Sequence, residues 1–65
     1  MKSYRIYIVG ADGRLQLGHA FEARDDEAAA ARAEILAERG LAAELWEGGR
    51  LVGRVSESGR FSGGA

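Results

Sequence analysis

Three side chains of this sequence have the chemistry to meet an anionic ligand: His19, Arg32 and Arg39. Histidine changes charge near neutral pH and can relay a proton or act as a pH switch. Arg32 and Arg39 have no carboxylate three or four residues away, the spacing at which helical ion pairs form. Their guanidinium groups are therefore free for an anion or for a partner's carboxylates. The competing reading is structural. Arginine stems cover apolar edges while their heads stay in water, here beside Glu22 or Glu44, and His19 lies within an apolar strand pattern. Catalysis by His19 would need a nucleophile and an orienting carboxylate nearby. The serines, Ser3, Ser56, Ser58 and Ser62, all sit near the chain ends. No dyad or triad can be built, so the chain is expected to be non-enzymatic.

The run Asp25, Asp26 and Glu27 could be read as a metal or acid–base cluster. A helix N-terminus explains it without either, because the helix dipole favours anions there. Cysteine is absent, which removes disulfides and thiolate metal sites. One histidine cannot form a multi-histidine site. No glycine-rich spacing of the phosphate-cradling kind follows a strand and opens a helix. No metal and no cofactor are expected.

The elements that must position these groups can be read from pattern. Residues 4–9 are aromatic and β-branched, as strands prefer. Asp12-Gly13 then reads as a two-residue hairpin turn, and Leu15 to Phe21 alternates. A straight ladder about that turn pairs Ile8 with Leu17, Ile6 with His19 and Tyr4 with Phe21. It puts Tyr4, Ile6, Ile8, Leu15, Leu17, His19 and Phe21 on one face. Residues 25–39 read as a helix, with Asp25 as N-cap, an alanine run of high propensity and Gly40 as the left-handed residue that ends it. Residues 41–47 and 50–55 form a second hairpin about Gly48-Gly49. Residues 56–65 are small, polar and glycine-rich, and read as a flexible tail.

The fold class is thus α+β: a ββαββ domain over residues 1–55. Its four-stranded antiparallel sheet is expected in the order 2-1-3-4, with one helix on one face. In the second hairpin the face carrying Trp46, Leu51, Ala42 and Val55 has the larger apolar surface and is assigned to the core. The open face then carries Tyr7, Val9, Leu45 and Val52. It is more apolar than the solvated side of an antiparallel sheet usually is, and such patches mark interfaces.

The chain is 65 residues long with formal net charge −1 and an isoelectric point near 5.7. A domain this small buries only about 60% of its unfolded surface. Without disulfides or metals, oligomerisation is the remaining support. A homodimer through Tyr7, Val9, Leu45 and Val52 is the expected state, and a protein partner is the expected target. Bulk charge argues against nucleic acid; Arg50, Arg54 and Arg60 with Tyr7 carry only a weak nucleic-acid-binding alternative. No apolar run is long enough to span a membrane, and no leader pattern precedes the first strand. The cytoplasm is the expected compartment, and arginine-rich, asparagine-free usage suggests a high-GC bacterial source.

The series Tyr4-Arg5-Ile6-Tyr7, Asp12-Gly13 and Asp25-Asp26 before an alanine-rich helix resembles short uncharacterised bacterial proteins of the domain-of-unknown-function type. The likeness covers residues 3–40 and implies no activity, cofactor or catalytic residue. The element order is also similar to small antitoxins with a partial RNase-H-like fold, which implies an antitoxin-like regulatory module as an alternative. Their acidic, proline-bearing loop and DNA-binding tail have no counterpart here.

Overall fold

The computed structural model describes residues 1–63. Its elements are β1 (Lys2–Val9), β2 (Leu15–Ala23), α1 (Asp26–Leu36), β3 (Ala43–Glu47), β4 (Arg50–Val55) and β5 (Phe61–Gly63). They form one antiparallel sheet in the order β2-β1-β3-β4-β5, with the single helix against one face. The α+β class and the expected 2-1-3-4 order hold, but a fifth strand extends the sheet.

That strand corrects the reading of residues 56–65 as a flexible tail; Gly64 and Ala65 lie outside the described residues. Two features order the segment. The N–H of Ser56 donates to the Arg60 carbonyl at 2.9 Å and that of Gly59 to the Ser56 carbonyl at 2.8 Å, closing a tight turn. Gly59 has φ 91°, where a side chain would be strained. Beyond the turn, Phe61 lies over Gly53 so closely that a Cβ on Gly53 would collide with the Phe61 ring and the Ser62 carbonyl. One half-buried aromatic packed on a vacant glycine face holds these three residues against β4.

The first hairpin turns in the same way as this last one. Gly10 donates to the Arg14 carbonyl at 2.8 Å and Gly13 to the Gly10 carbonyl at 2.9 Å. The loop is therefore the three residues Ala11, Asp12 and Gly13, not the two-residue Asp12-Gly13 turn, and it pairs Val9 with Leu15. A bulge at Gly18 restores the straight register further along: Tyr7 faces Leu17, but Ile6 faces His19 and Tyr4 faces Phe21. Gly18 points toward the helix side, where a Cβ would lie 3.0 Å from Ile8 Cγ1. One inserted residue reverses the facing of everything on the turn side of it. Leu15 and Leu17 consequently leave the core face and join Tyr7 and Val9.

The second hairpin also contains a bulge. Trp46 faces Leu51, whereas Leu45 faces Gly53 and Ala43 faces Val55. Pairing with β1 fixes which side is inside: Ile6 opposes Leu45 and Ile8 opposes Ala43, while Arg5 opposes Trp46. Leu45 and Val55 are fully buried and Val52 is buried with them. Ala43, Leu45 and Val52 are thus inside and Trp46 and Leu51 outside, the reverse of the expected assignment, whereas Val55 is in the core as expected, because the bulge at Val52 separates it from Leu51. The cause is register: Ile6 and Ile8 lie under the helix, which meets the sheet through Ala29 and Ala33, both at zero exposure, so the β3 residues opposite them are carried inside and Trp46, opposite Arg5, is carried outside.

Asp25 caps α1 as expected, its Oδ1 accepting the Ala28 N–H at 2.9 Å. The helix ends at Leu36, three residues short of the expected Arg39, because Ala37 is extended at φ −65°, ψ 142°. Gly40 does have a left-handed φ of 85°, but it serves a separate turn. There the Leu41 N–H donates to the Glu38 carbonyl at 3.2 Å.

Candidate interaction surface

The helix covers one face of the sheet, and the other face is open. Cross-strand pairing arranges the open face in rows. One row runs Ala20, Arg5, Trp46 and Leu51; the next runs Leu17, Tyr7, Glu44, Arg54 and Ser62. Leu15 and Val9 form a third, at the hairpin end. Apolar groups dominate it. Leu15 is 50% exposed and Leu17 58%, and Tyr7, Val9, Trp46 and Leu51 are half-buried.

Hydrogen bonds fix the centre of this face. Trp46 Nε1 donates to Glu44 Oε1 at 3.1 Å, and the Arg54 guanidinium lies 3.6 Å from Glu44 Oε2. The carboxylate is thereby neutralised, and the indole is held along the strand. Three charges on this side remain without an ion-pair partner among the described residues, Arg5, Glu22 and, beside the last turn, Arg60. They leave an excess of one positive charge, far from the basic patch a polyanion seeks.

Of the residues expected at the interface, Tyr7 and Val9 lie on this face. Leu45, at zero exposure, and Val52 do not; they belong to the core, and Trp46, Leu51, Leu15 and Leu17 stand where they were expected. The strand composition could not show this, because Trp46 and Leu45 are neighbours and only the β1–β3 register separates inside from outside.

The three groups considered for an anion are not brought together. His19 pairs with Ile6 on the helix side, as expected, but on the edge strand it is exposed. It borders a hollow of about 220 Å³ with Gln16, Leu36, Glu38 and Leu41. Arg39 borders a different hollow, beside Glu34, Glu38 and Glu57, whose charge opposes an anion. Arg32 is exposed and lines neither. Among the described residues, no three histidine, aspartate or glutamate side chains converge as metal ligands would.

A polar cluster that sequence reading missed joins the first turn of α1 to the β3–β4 hairpin. Tyr4 donates its hydroxyl to Asp26 Oδ1 at 2.8 Å. Arg50 meets the same carboxylate with two nitrogens, at 3.0 and 2.8 Å, and also bonds Glu47. The guanidinium, then the tyrosine hydroxyl, hold the Asp26 carboxyl down at about 2. Burial first, and the Asp26 bond second, push the Tyr4 phenol up to about 12. The two carboxylates raise Arg50 above its ordinary value. Tyr4 also stacks on Phe21, with ring centroids 5.9 Å apart. The cluster is a clasp: every group in it is bonded to another member of it. Its signal in the sequence was Glu47 opposite Arg50, which was legible, but the reach from Arg50 to Asp26 was not.

Comparison with known proteins finds no matching family model, no matching curated relative and no matching solved structure. Among the described residues, no helix is long and apolar enough to cross a membrane.

Proposed function

We propose that this chain is a non-enzymatic protein-interaction module that self-associates as a homodimer, with its open sheet face as the binding platform. The observation that carries this reading is the exposure of Leu15 and Leu17, at 50% and 58%, beside half-buried Tyr7, Val9, Trp46 and Leu51. The solvated face of an antiparallel sheet is ordinarily polar, and contiguous apolar patches mark partner sites. The near balance of charge on the face suits a protein surface, including a second copy, better than nucleic acid. A cytoplasmic setting agrees with the absence of cysteine.

Light scattering over a concentration series tests self-association. The reading expects the weight-average mass to rise from 6.9 kDa toward twice that value. A constant monomer mass at all concentrations, in a well-folded sample, would overturn the homodimer.

A further inference from the structure

We infer that two copies of this chain join through the outer edge of β2, antiparallel and centred on Gly18-His19, so that the two sheets become one. This rests on the self-association reading and names its seam.

The hydrogen bonds of β1 set which way the main chain of β2 points. Val9 donates its N–H to Ala42, away from β2, and Gly10 donates toward β2, to Arg14. Main-chain direction alternates along a strand, so Ile8, Ile6 and Tyr4 also point at β2. Their partners Gln16, His19 and Phe21 point inward. The residues of β2 whose N–H and C=O point outward are then Leu15, Leu17, Ala20 and Glu22.

The Gly18 bulge sets the spacing of these four. From Leu15 to Leu17 is two residues, from Leu17 to Ala20 three, and from Ala20 to Glu22 two. A regular partner strand offers bonding residues every second position, so it can engage only one half of this edge. The interval series 2, 3, 2 reads the same from both ends. A second β2 running antiparallel therefore matches it throughout, with Leu17 against Ala20 and Leu15 against Glu22 of the other copy. All four of these side chains lie on the open face, so the pairing also keeps like faces together.

The rest of the edge is compatible. β2 contains no proline and no lysine, the residues that commonly block edge pairing. Just outside its ends Arg14 lies beside Asp12 and Arg24 beside Asp25, and Glu22, which has no ion-pair partner among the described residues, faces Leu15 of the other copy and not a like charge. The pairing brings the exposed Leu15 and Leu17 of both chains into one apolar strip.

Ala20→Pro removes an outward N–H that bonds nothing within the monomer, and proline is tolerated at such edge positions. Leu51→Lys alters the open face on β4, far from the seam. Sedimentation velocity of both variants beside the wild type, with circular dichroism to confirm folding, separates the possibilities. The seam predicts that Ala20→Pro weakens association about tenfold or more, since two symmetry-related main-chain bonds are lost, while Leu51→Lys associates like the wild type. Undiminished association of Ala20→Pro, or its loss in Leu51→Lys, would overturn the seam and leave self-association standing. A wild type that stays monomeric would overturn both. Should Ala20→Pro fail to fold, the double variant Leu17→Cys, Ala20→Cys in this cysteine-free chain is expected to oxidise to a covalent dimer. If it crosslinks no faster than Leu51→Cys, the seam is wrong.

Discussion

β5 ends the sheet on one side with three residues, and the outward N–H of Phe61 is accepted by Glu34 Oε2 at 2.7 Å. β2 ends it on the other side with nine residues, and no side chain among the described residues bonds its outward main-chain groups. Unpaired edges template association with other chains. One edge is short, anchored by Phe61 over Gly53 and bonded by a carboxylate of the helix; the other is long and bare. The difference shows that a small domain can close one edge with a single aromatic, a vacant glycine and one carboxylate. It then has one direction left in which to add strands.

The largest expected effect comes from removing the core on which both edges hang. Leu45→Ala is expected to lose about 2–5 kcal/mol in urea denaturation, as buried leucines do, whereas Leu51→Ala on the open face loses far less. If the two variants lost equal stability, the inside and outside of the second hairpin would be wrong. Next is the closed edge. Gly53→Val sets a side chain against Phe61 and should cost about 1–3 kcal/mol through overpacking. It also exposes β4 as a second free edge, so association beyond a dimer is expected in light scattering. Glu34→Ala removes only the acceptor of the Phe61 N–H, at a cost of about 1 kcal/mol, and should accelerate hydrogen exchange at Phe61.

The clasp between α1 and the second hairpin gives a pH signature. Asp26 has a folded value lowered to about 2 from an unfolded value of 3.8. Its contribution to stability is complete above the unfolded value and is lost as pH falls toward 2. Tyr4 is raised to about 12 from 10.0. Its contribution is complete below 10 and is lost as pH rises through 12. Phenolate absorbance should show one tyrosine titrating near 12, and Tyr4→Phe should abolish that component. The smallest effect on stability is expected from Leu17→Lys, within about 0.5 kcal/mol because the side chain is exposed. The same change places a charge beside the β2 seam, so its effect on association should far exceed its effect on folding.

The order of the first five elements, the order of the first four strands and the Asp25 cap were legible in the sequence because each rests on local chemistry: alternation, turn glycines and an N-cap oxygen. The two bulges were not. Gly18 and Val52 each add one residue to a ladder that reads equally well without it. Each insertion moves the residues on one side of it to the opposite face, which is how Leu15 and Leu17 came to be expected in the core. The β5 hairpin did have a signal. Ser58-Gly59-Arg60 repeats the pattern of Asp12-Gly13-Arg14, and the two turns close with the same hydrogen bonds. Composition suggested a tail because it counts small residues and does not register that one phenylalanine meets a glycine. The face of Trp46 was misread for a related reason: size favours burial, but the β1–β3 register sets Trp46 opposite Arg5 and Leu45 opposite Ile6.

Amide hydrogen exchange followed by NMR at low and high protein concentration compares the two edges directly. The account predicts that Leu15, Leu17, Ala20 and Glu22 exchange fast when dilute and are strongly protected when concentrated, while Phe61 is unchanged by concentration. Fast exchange of those four β2 amides at every concentration would contradict it.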